Sequence, residues 1–288
     1  MMSILYLTFA TILSAASVFG KIYTRRVGDL RDSTNIYTFF LLIAACLGWG
    51  VLYLTDLTFD FGVLLYSLMF SLCYMAAHLG IIGGMKCGSA TLTTLFVNLS
   101  LILVTIWGFL FWDEKITVFV SIGLLLVCLA IFLCLYTKQK EEYKISLKWI
   151  LYIILGCVGN AGCAIVQRAE QRAFGGAHGN MLMFFALVFS VLLFSLIFLR
   201  CDRRDVPTIL KRAWWCPFLA GTLNVGANLF VLLLATTTLS TSLIYPVIGV
   251  GGLAIVTIFS LFVFKERMFW WQWVGVGVGT VAVVLLSI

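Results

Sequence analysis

Hydrophobic and polar positions separate into long blocks along the chain. Ten apolar runs stand out, at roughly 2 to 20, 34 to 54, 61 to 83, 90 to 111, 116 to 136, 149 to 170, 181 to 199, 214 to 235, 241 to 264 and 269 to 287. A helix that crosses a bilayer needs about 20 mostly apolar residues. Each run is therefore read as one transmembrane helix, first to tenth, and no run is left over for a soluble domain. The expected fold is an all-α integral membrane protein.

The runs repeat. Sliding residues 241 to 287 back by 152 positions lays Val256-Thr257-Ile258 on Val104-Thr105-Ile106, Glu266 on Glu114, Arg267 on Lys115, Gly275 on Gly123 and Ala282 on Ala130. At an offset of 146, Ile150-Leu151-Tyr152 falls on Ile4-Leu5-Tyr6 and Ala161 on Ala15. One residue of slippage later, Asn180, Phe184 and Phe185 match Asn35, Phe39 and Phe40. This period predicts a first five-helix repeat over 1–137, a polar linker over 138–148 and a second five-helix repeat over 149–288. Because five is odd, the second copy enters the membrane from the opposite face, giving ten helices as two inverted repeats, the geometry of transporters. It also argues against reading the first run as a signal peptide, which would not be copied into mid-chain. The third and eighth helices correspond by position only, so they are expected to carry what is specific to this protein.

Composition fits a membrane location: 62% of residues are hydrophobic and 11% charged, against about 25% charged in soluble domains, with a mean hydropathy of +1.11. The net charge of +7 would point to nucleic acid in a soluble protein, but here Lys and Arg sit in loops. Sixteen of the 19 fall in the loops after the first, third, fifth, seventh and ninth helices, and only Lys115, Arg168 and Arg172 on the other side. The positive-inside rule then puts the odd-numbered loops in the cytoplasm and both termini outside. Trp49, Trp112, Trp149, Trp214, Trp215, Trp270, Trp271 and Trp273 lie near helix ends and read as interfacial anchors. The nine Cys, without a CxxC pair, read as small apolar fillers.

Ten helices in two inverted fives, with Phe111-Trp112-Asp113-Glu114-Lys115 and Phe264-Lys265-Glu266-Arg267 at the matched turns and Pro246, Gly249, Gly251 and Gly252 in the ninth helix, resemble the EamA-type members of the drug/metabolite transporter superfamily. The resemblance implies a carrier whose two halves enclose a central cavity and rock to expose it to each side in turn. The cavity would be lined by the third, fourth, eighth and ninth helices with parts of the first and sixth. It also implies cytoplasmic termini, against the charge count. A bacterial plasma (inner) membrane is the expected location.

Polar side chains inside a bilayer are costly enough to ask for a reason. Tyr74 and His78 lie one turn apart in the third helix, Asn224 and Asn228 one turn apart in the eighth. Asn98 sits in the fourth helix, Asn160 and Gln167 share a face of the sixth, and Tyr245 precedes Pro246 in the ninth. Either these eight converge on a midplane cavity and bind a polar substrate, or they join helices through hydrogen bonds that need no ligand. Pro246 with Gly249, Gly251 and Gly252 predicts a gating kink, since Pro removes a helix bond and Gly weakens the segment. Glu114 and Glu266 read as helix caps on opposite faces of the membrane. Gly275 to Gly279 forms a GxxxG surface, for packing on the fifth helix or for a weak homodimer.

The first helix and its repeat partner carry no acid within the span until Glu170 at the far boundary. Small relatives in the superfamily use such an acid to exchange protons for cationic drugs, and a buried cation without a carboxylate partner is costly. What remains is a neutral or zwitterionic, amino-acid-like solute, or an anion drawn by Lys21 or Arg168, with His78 as the mid-span group able to couple protons, while a facilitator with no coupling ion fits as well. With only His78 and His178, no HExxH, no GxSxG and no paired intramembrane acids, neither an enzyme nor a metal site or cofactor is expected. A flippase for a lipid or lipid-linked sugar is the alternative, and a membrane scaffold without transport a weaker one. The expected partners are the small-molecule substrate and membrane lipids, with no nucleic acid, in a monomer or weak homodimer.

Overall fold

The computed structural model describes residues 2–27, 32–87, 97, 100–113, 117–135, 146–201, 205–239 and 270–286, with positions 243–244, 247–249, 251–252, 255 and 259 of the ninth run. The backbone is helical wherever a described residue falls well inside an apolar run, apart from a turn at Ala15–Ala16. The helices are α1 (Met2–Ser14), α2 (Ser17–Val27), α3 (Ser33–Thr55), α4 (Phe61–Cys87), α5 (Ser100–Phe111) and α6 (Val118–Leu135) in the first half of the chain. The second half adds α7 (Leu147–Ala173), α8 (Gly179–Phe198), α9 (Asp205–Ala213), α10 (Trp215–Ala235) and α11 (Trp270–Leu286). No described residue is in a strand. Among the described residues, six stretches are long and apolar enough to cross a membrane: Met2–Gly20, Ser33–Thr55, Phe61–Ile81, Leu147–Ala173, Gly179–Phe198 and Trp215–Leu234. The protein is therefore an integral, multi-pass membrane protein.

Two elements depart from the runs. The first run is split between α1 and α2 by a tighter turn, in which Ala15 N bonds Ile12 O at 3.2 Å, Ala16 N bonds Leu13 O at 3.1 Å, Val18 N bonds Ala15 O at 3.0 Å and Phe19 N bonds Ala16 O at 3.0 Å. These are three-residue rather than four-residue closures. The second departure is α9, in a stretch whose polar residues predict a loop. Its Ile209 and Ala213 are buried against Tyr23 and Val27 of α2 and Ile36 of α3. Lys211 and Arg212 occupy its last turn, where cations suit the helix dipole.

Helix packing places the core between α3, α4 and α8, with α7 and α10 on its flanks. Between bilayer helices hydrophobic sorting supplies little, because lipid is as apolar as Leu. Close backbone approach and interhelical hydrogen bonds take its place. Ser67 Oγ of α4 lies 3.1 Å from the Leu182 carbonyl of α8, and Ser71 and Ser190 pair through their hydroxyls at 3.2 Å. The largest interface, α4 on α7, is made by small residues. A Cβ on Gly80 would stand 2.6 Å from the Tyr152 carbonyl oxygen, and one on Gly159 at 2.6 Å from that of Cys73. α6 and α11 pack on each other with Ala282, Val120 and Val127 buried between them. Gly275 and Gly279 are buried too, so the GxxxG stripe is used within the chain.

Some tryptophans are not anchors. Trp49 is wholly buried in the core and Trp149 nearly so, whereas Trp214, Trp270 and Trp273 are exposed. Trp49 lies six residues before the end of a helix longer than its run, deep enough to be covered by α8.

Candidate functional site

A cavity of about 780 Å³ opens between α1, α2, α3, α4, α5, α7 and α10. It is lined from α4 by Phe70, Tyr74 and His78, from α7 by Asn160, Cys163 and Gln167, and from α10 by Asn224, Asn228 and Val231. All six of the expected site residues that are described, Tyr74, His78, Asn160, Gln167, Asn224 and Asn228, thus face one space. Asn98, Tyr245 and Pro246 lie outside the described residues, as do Glu114 and Glu266. Gly249, Gly251 and Gly252 are helical. Gly251 abuts Thr11, and Gly252 abuts Ser14 on the cavity wall, too closely in both cases for a Cβ.

Each polar group has a definite setting. The His78 ring meets Tyr74 edge to face at 4.5 Å, and Tyr74 in turn stacks on Phe70 at 5.9 Å, a ladder of three rings along one face of α4. Asn160 donates through Nδ2 to Ser100 Oγ of α5 at 2.7 Å. Gln167 is buried, with Nε2 4.0 Å from Met183 Sδ of α8. Asn228 Nδ2 donates to Asn224 Oδ1 at 3.0 Å and to the Asn224 carbonyl at 2.9 Å.

The sequence reading missed a hydroxyl-rich wall. Thr34, Tyr37, Thr38 and Leu41 of α3 line the cavity at helical spacing, joined by Tyr23 of α2 and by Ser14 and Ala16 at the α1–α2 break. Tyr23 and Tyr37 hold their rings 4.7 Å apart, and Tyr23 Oη donates to the Ser33 carbonyl at 2.7 Å. The stripe Thr34, Tyr37, Thr38 was the available signal: three hydroxyls on one face of an otherwise apolar helix. Among the described lining residues there is no Asp, Glu, Lys or Arg.

One turn beyond Gln167 the cavity gives way to a buried charged cluster. Arg168, Glu170 and Gln171 are all nearly or fully covered. Arg168 Nη2 donates to the Leu239 carbonyl at 3.0 Å, and its guanidinium lies 5.7 Å from the Trp112 ring. Arg172 lies 5.1 Å from the same ring. Gln171 Nε2 donates to Glu170 Oε2, while Glu170 Oε1 meets no hydrogen-bond donor among the described residues. Glu170 is thus covered by protein, and Arg168 is engaged by protein rather than offered to a passing anion. The reason is length: α7 runs on to Ala173, and the turn through Gly175 and Gly176, with φ of +60° and +81°, folds back over its end.

The described helices thus form a multi-pass membrane protein that encloses a cavity with polar side chains from three of them. Residues 147–288 match the EamA-like transporter family. The second half of the chain thus carries an EamA-like transporter domain, consistent with an EamA-type protein of the drug/metabolite transporter superfamily. Twenty-eight solved chains match it; one, a crystal structure described only as that of a protein, is 11% identical, covers 99% of this chain and 96% of its own, and superposes with a TM-score of 0.77. At that identity the likeness concerns the fold alone. No curated protein matches the chain.

Proposed function

We propose that the protein is a secondary transporter that moves a small polar metabolite, neutral or zwitterionic and amino-acid-like, by alternating access of the central cavity between two inverted five-helix halves. Tyr74, His78, Asn160, Gln167, Asn224 and Asn228 bind the solute, with Asn98 and Tyr245 completing the set, and the ninth helix bends at Pro246, Gly249, Gly251 and Gly252 to gate it. The observation that carries the reading is the convergence of side chains from α4, α7 and α10 on one cavity of about 780 Å³, inside the range of about 300–1,000 Å³ of small-molecule sites.

The pattern of helix contacts supports the inverted halves. Exchanging each helix for its repeat partner turns the α4–α7 interface into α1–α10 and the α3–α10 interface into α4–α8, all four of which exist; α3–α8 and α6–α11 map onto themselves. The lining runs from Gly20, Tyr23 and Thr34, beside the basic loop after the first helix, to Gln167 below the Arg168 cluster. On this reading the protein sits in a plasma membrane with its basic, odd-numbered loops in the cytoplasm.

The test is metabolite profiling inside and outside cells that overproduce the wild type or an Asn224→Ala, Asn228→Ala double variant of equal membrane abundance. One or a few polar solutes redistributed by the wild type alone is the expected result. If both proteins leave every soluble metabolite where it was, the carrier reading fails and lipid-linked cargo takes its place.

A further inference from the structure

Three features of the cavity bear on what it accepts. The first is charge. A zwitterion entering this space would bring an ammonium and a carboxylate to a wall with no Asp, Glu, Lys or Arg among its described residues. Ions removed from water without opposite charges lose more than neutral hydrogen bonds return. The described part of the wall suits an uncharged solute.

The second is the hydrogen-bonding edge on α10. Asn228 spends its Nδ2 on Asn224, on the carbonyl at 2.9 Å and on Oδ1 at 3.0 Å. Among the described residues this leaves Asn228 Oδ1 as an acceptor and Asn224 Nδ2 as a donor, one turn apart on the cavity face. A donor beside an acceptor complements a ring that presents N–H next to C=O, as side-chain amides do when they read base edges. The internal bond fixes both amides in that sense before any solute arrives.

The third is shape. Flat aromatic faces line the cavity from two helices: Phe70, Tyr74 and His78 along α4, at 5.9 and 4.5 Å, and Tyr37 on α3 with Tyr23 beside it at 4.7 Å. Such rings favour a planar partner, which they grip by stacking or edge contact at little cost in rotamer freedom.

From these three features we infer that the solute is an uncharged planar heterocycle with a lactam-type N–H/C=O edge, of the nucleobase or nucleoside class, hydrogen-bonded by the Asn224–Asn228 pair and held against the α4 ring ladder. The inference rests on the carrier reading and narrows its neutral-or-zwitterionic class to the neutral branch.

Full-length protein in liposomes would be assayed for counterflow of radiolabelled uracil and uridine, in parallel with alanine and glutamine. We expect heterocycle flux well above protein-free vesicles, suppressed by unlabelled uracil and untouched by glutamine. Asn224→Ala and Tyr74→Leu each lower it at least tenfold at unchanged melting temperature, and Gly277→Ala, whose added methyl meets no atom within 4 Å, leaves it intact. If alanine or glutamine moves and neither heterocycle moves or competes, the heterocycle assignment falls while the carrier stands. If no probe moves or raises the melting temperature of folded protein, the heterocycle assignment falls, and the metabolite profiling decides whether the carrier falls with it. Scrambling of a fluorescent lipid by those vesicles would then identify a flippase.

Discussion

Arg168 reaches across the molecule to Leu239, with Nη2 3.0 Å from the carbonyl at the end of the α10 turn, and lies against Trp112 at the end of α5. It thereby ties three helix ends together just beyond Gln167, where the cavity stops. Arg168→Ala removes a charge-assisted buried bond worth about 1.5–3 kcal/mol, so a lower melting temperature in detergent is expected. Arg168→Lys rescues little, since an ammonium cannot bond and stack as a planar guanidinium does. If this cluster seals the cavity, an impermeant maleimide applied from the α7–α8 side labels Cys163 in the Ala variant and not in the parent, both with their other cysteines replaced. Equal labelling would mean that the seal lies elsewhere.

The α4–α7 interface offers a prediction about packing. At Gly80 and Gly159 the facing backbone is too close for any side chain, and small residues are the usual means of tight helix association in a bilayer. Gly80→Val is expected to cost at least the roughly 1–3 kcal/mol of overpacking, seen as loss of monodisperse protein or a large drop in melting temperature. Gly277→Ala, with open space around it, should be neutral or slightly stabilising. A Gly80→Val protein as stable as its parent would show that α4 and α7 separate easily.

Much of this arrangement was legible in the sequence because amides and imidazoles are rare inside bilayers and their helical spacing names a face. Tyr74 with His78 and Asn224 with Asn228 were found that way, and each pair lines the cavity. The hydroxyls were not, because a Thr or Ser in a helix can bond its own backbone, as Thr38 Oγ1 does to the Thr34 carbonyl at 2.9 Å, and so leaves little mark on hydropathy. The α1–α2 break carries neither Gly nor Pro at the turn itself, so periodicity alone could not reveal it. The burial of Glu170 was not legible, because an acid at the end of an apolar run reads as the membrane boundary whether or not protein covers it. Its burial depends on the turn that follows, a tertiary fact.

Asn160 and Ser100 link α7 to α5 at 2.7 Å within the cavity. The bond is open to the cavity, so removing it exposes its partners to whatever fills that space rather than orphaning them. A double-mutant cycle with Asn160→Ala and Ser100→Ala is expected to give a coupling near the average of about 0.6 kcal/mol for interhelical bonds in a bilayer. A coupling several times larger would mark the pair as a structural pin, and transport loss in Asn160→Ala would then have to be read as misfolding.

Tyr23 makes a prediction about pH. It lies past the first membrane-spanning stretch, 2% exposed, with its hydroxyl on the Ser33 carbonyl and its ring beside Tyr37. Burial, reinforced by Tyr37 and Cys216, raises its pKa above the tyrosine value of 10.0. The folded chain therefore keeps a proton that the unfolded chain gives up above about pH 10. Stability from this group is complete below that point and is lost as pH rises through it, by at most about 1.4 kcal/mol per pH unit for one proton. Tyr23→Phe gives up the bond to Ser33, about 0.5–1.5 kcal/mol at neutral pH, but should lose stability less steeply in alkali. Melting temperatures of both proteins across the alkaline range check this, and parallel curves would show that Tyr23 ionises as freely in the folded protein as in the unfolded chain.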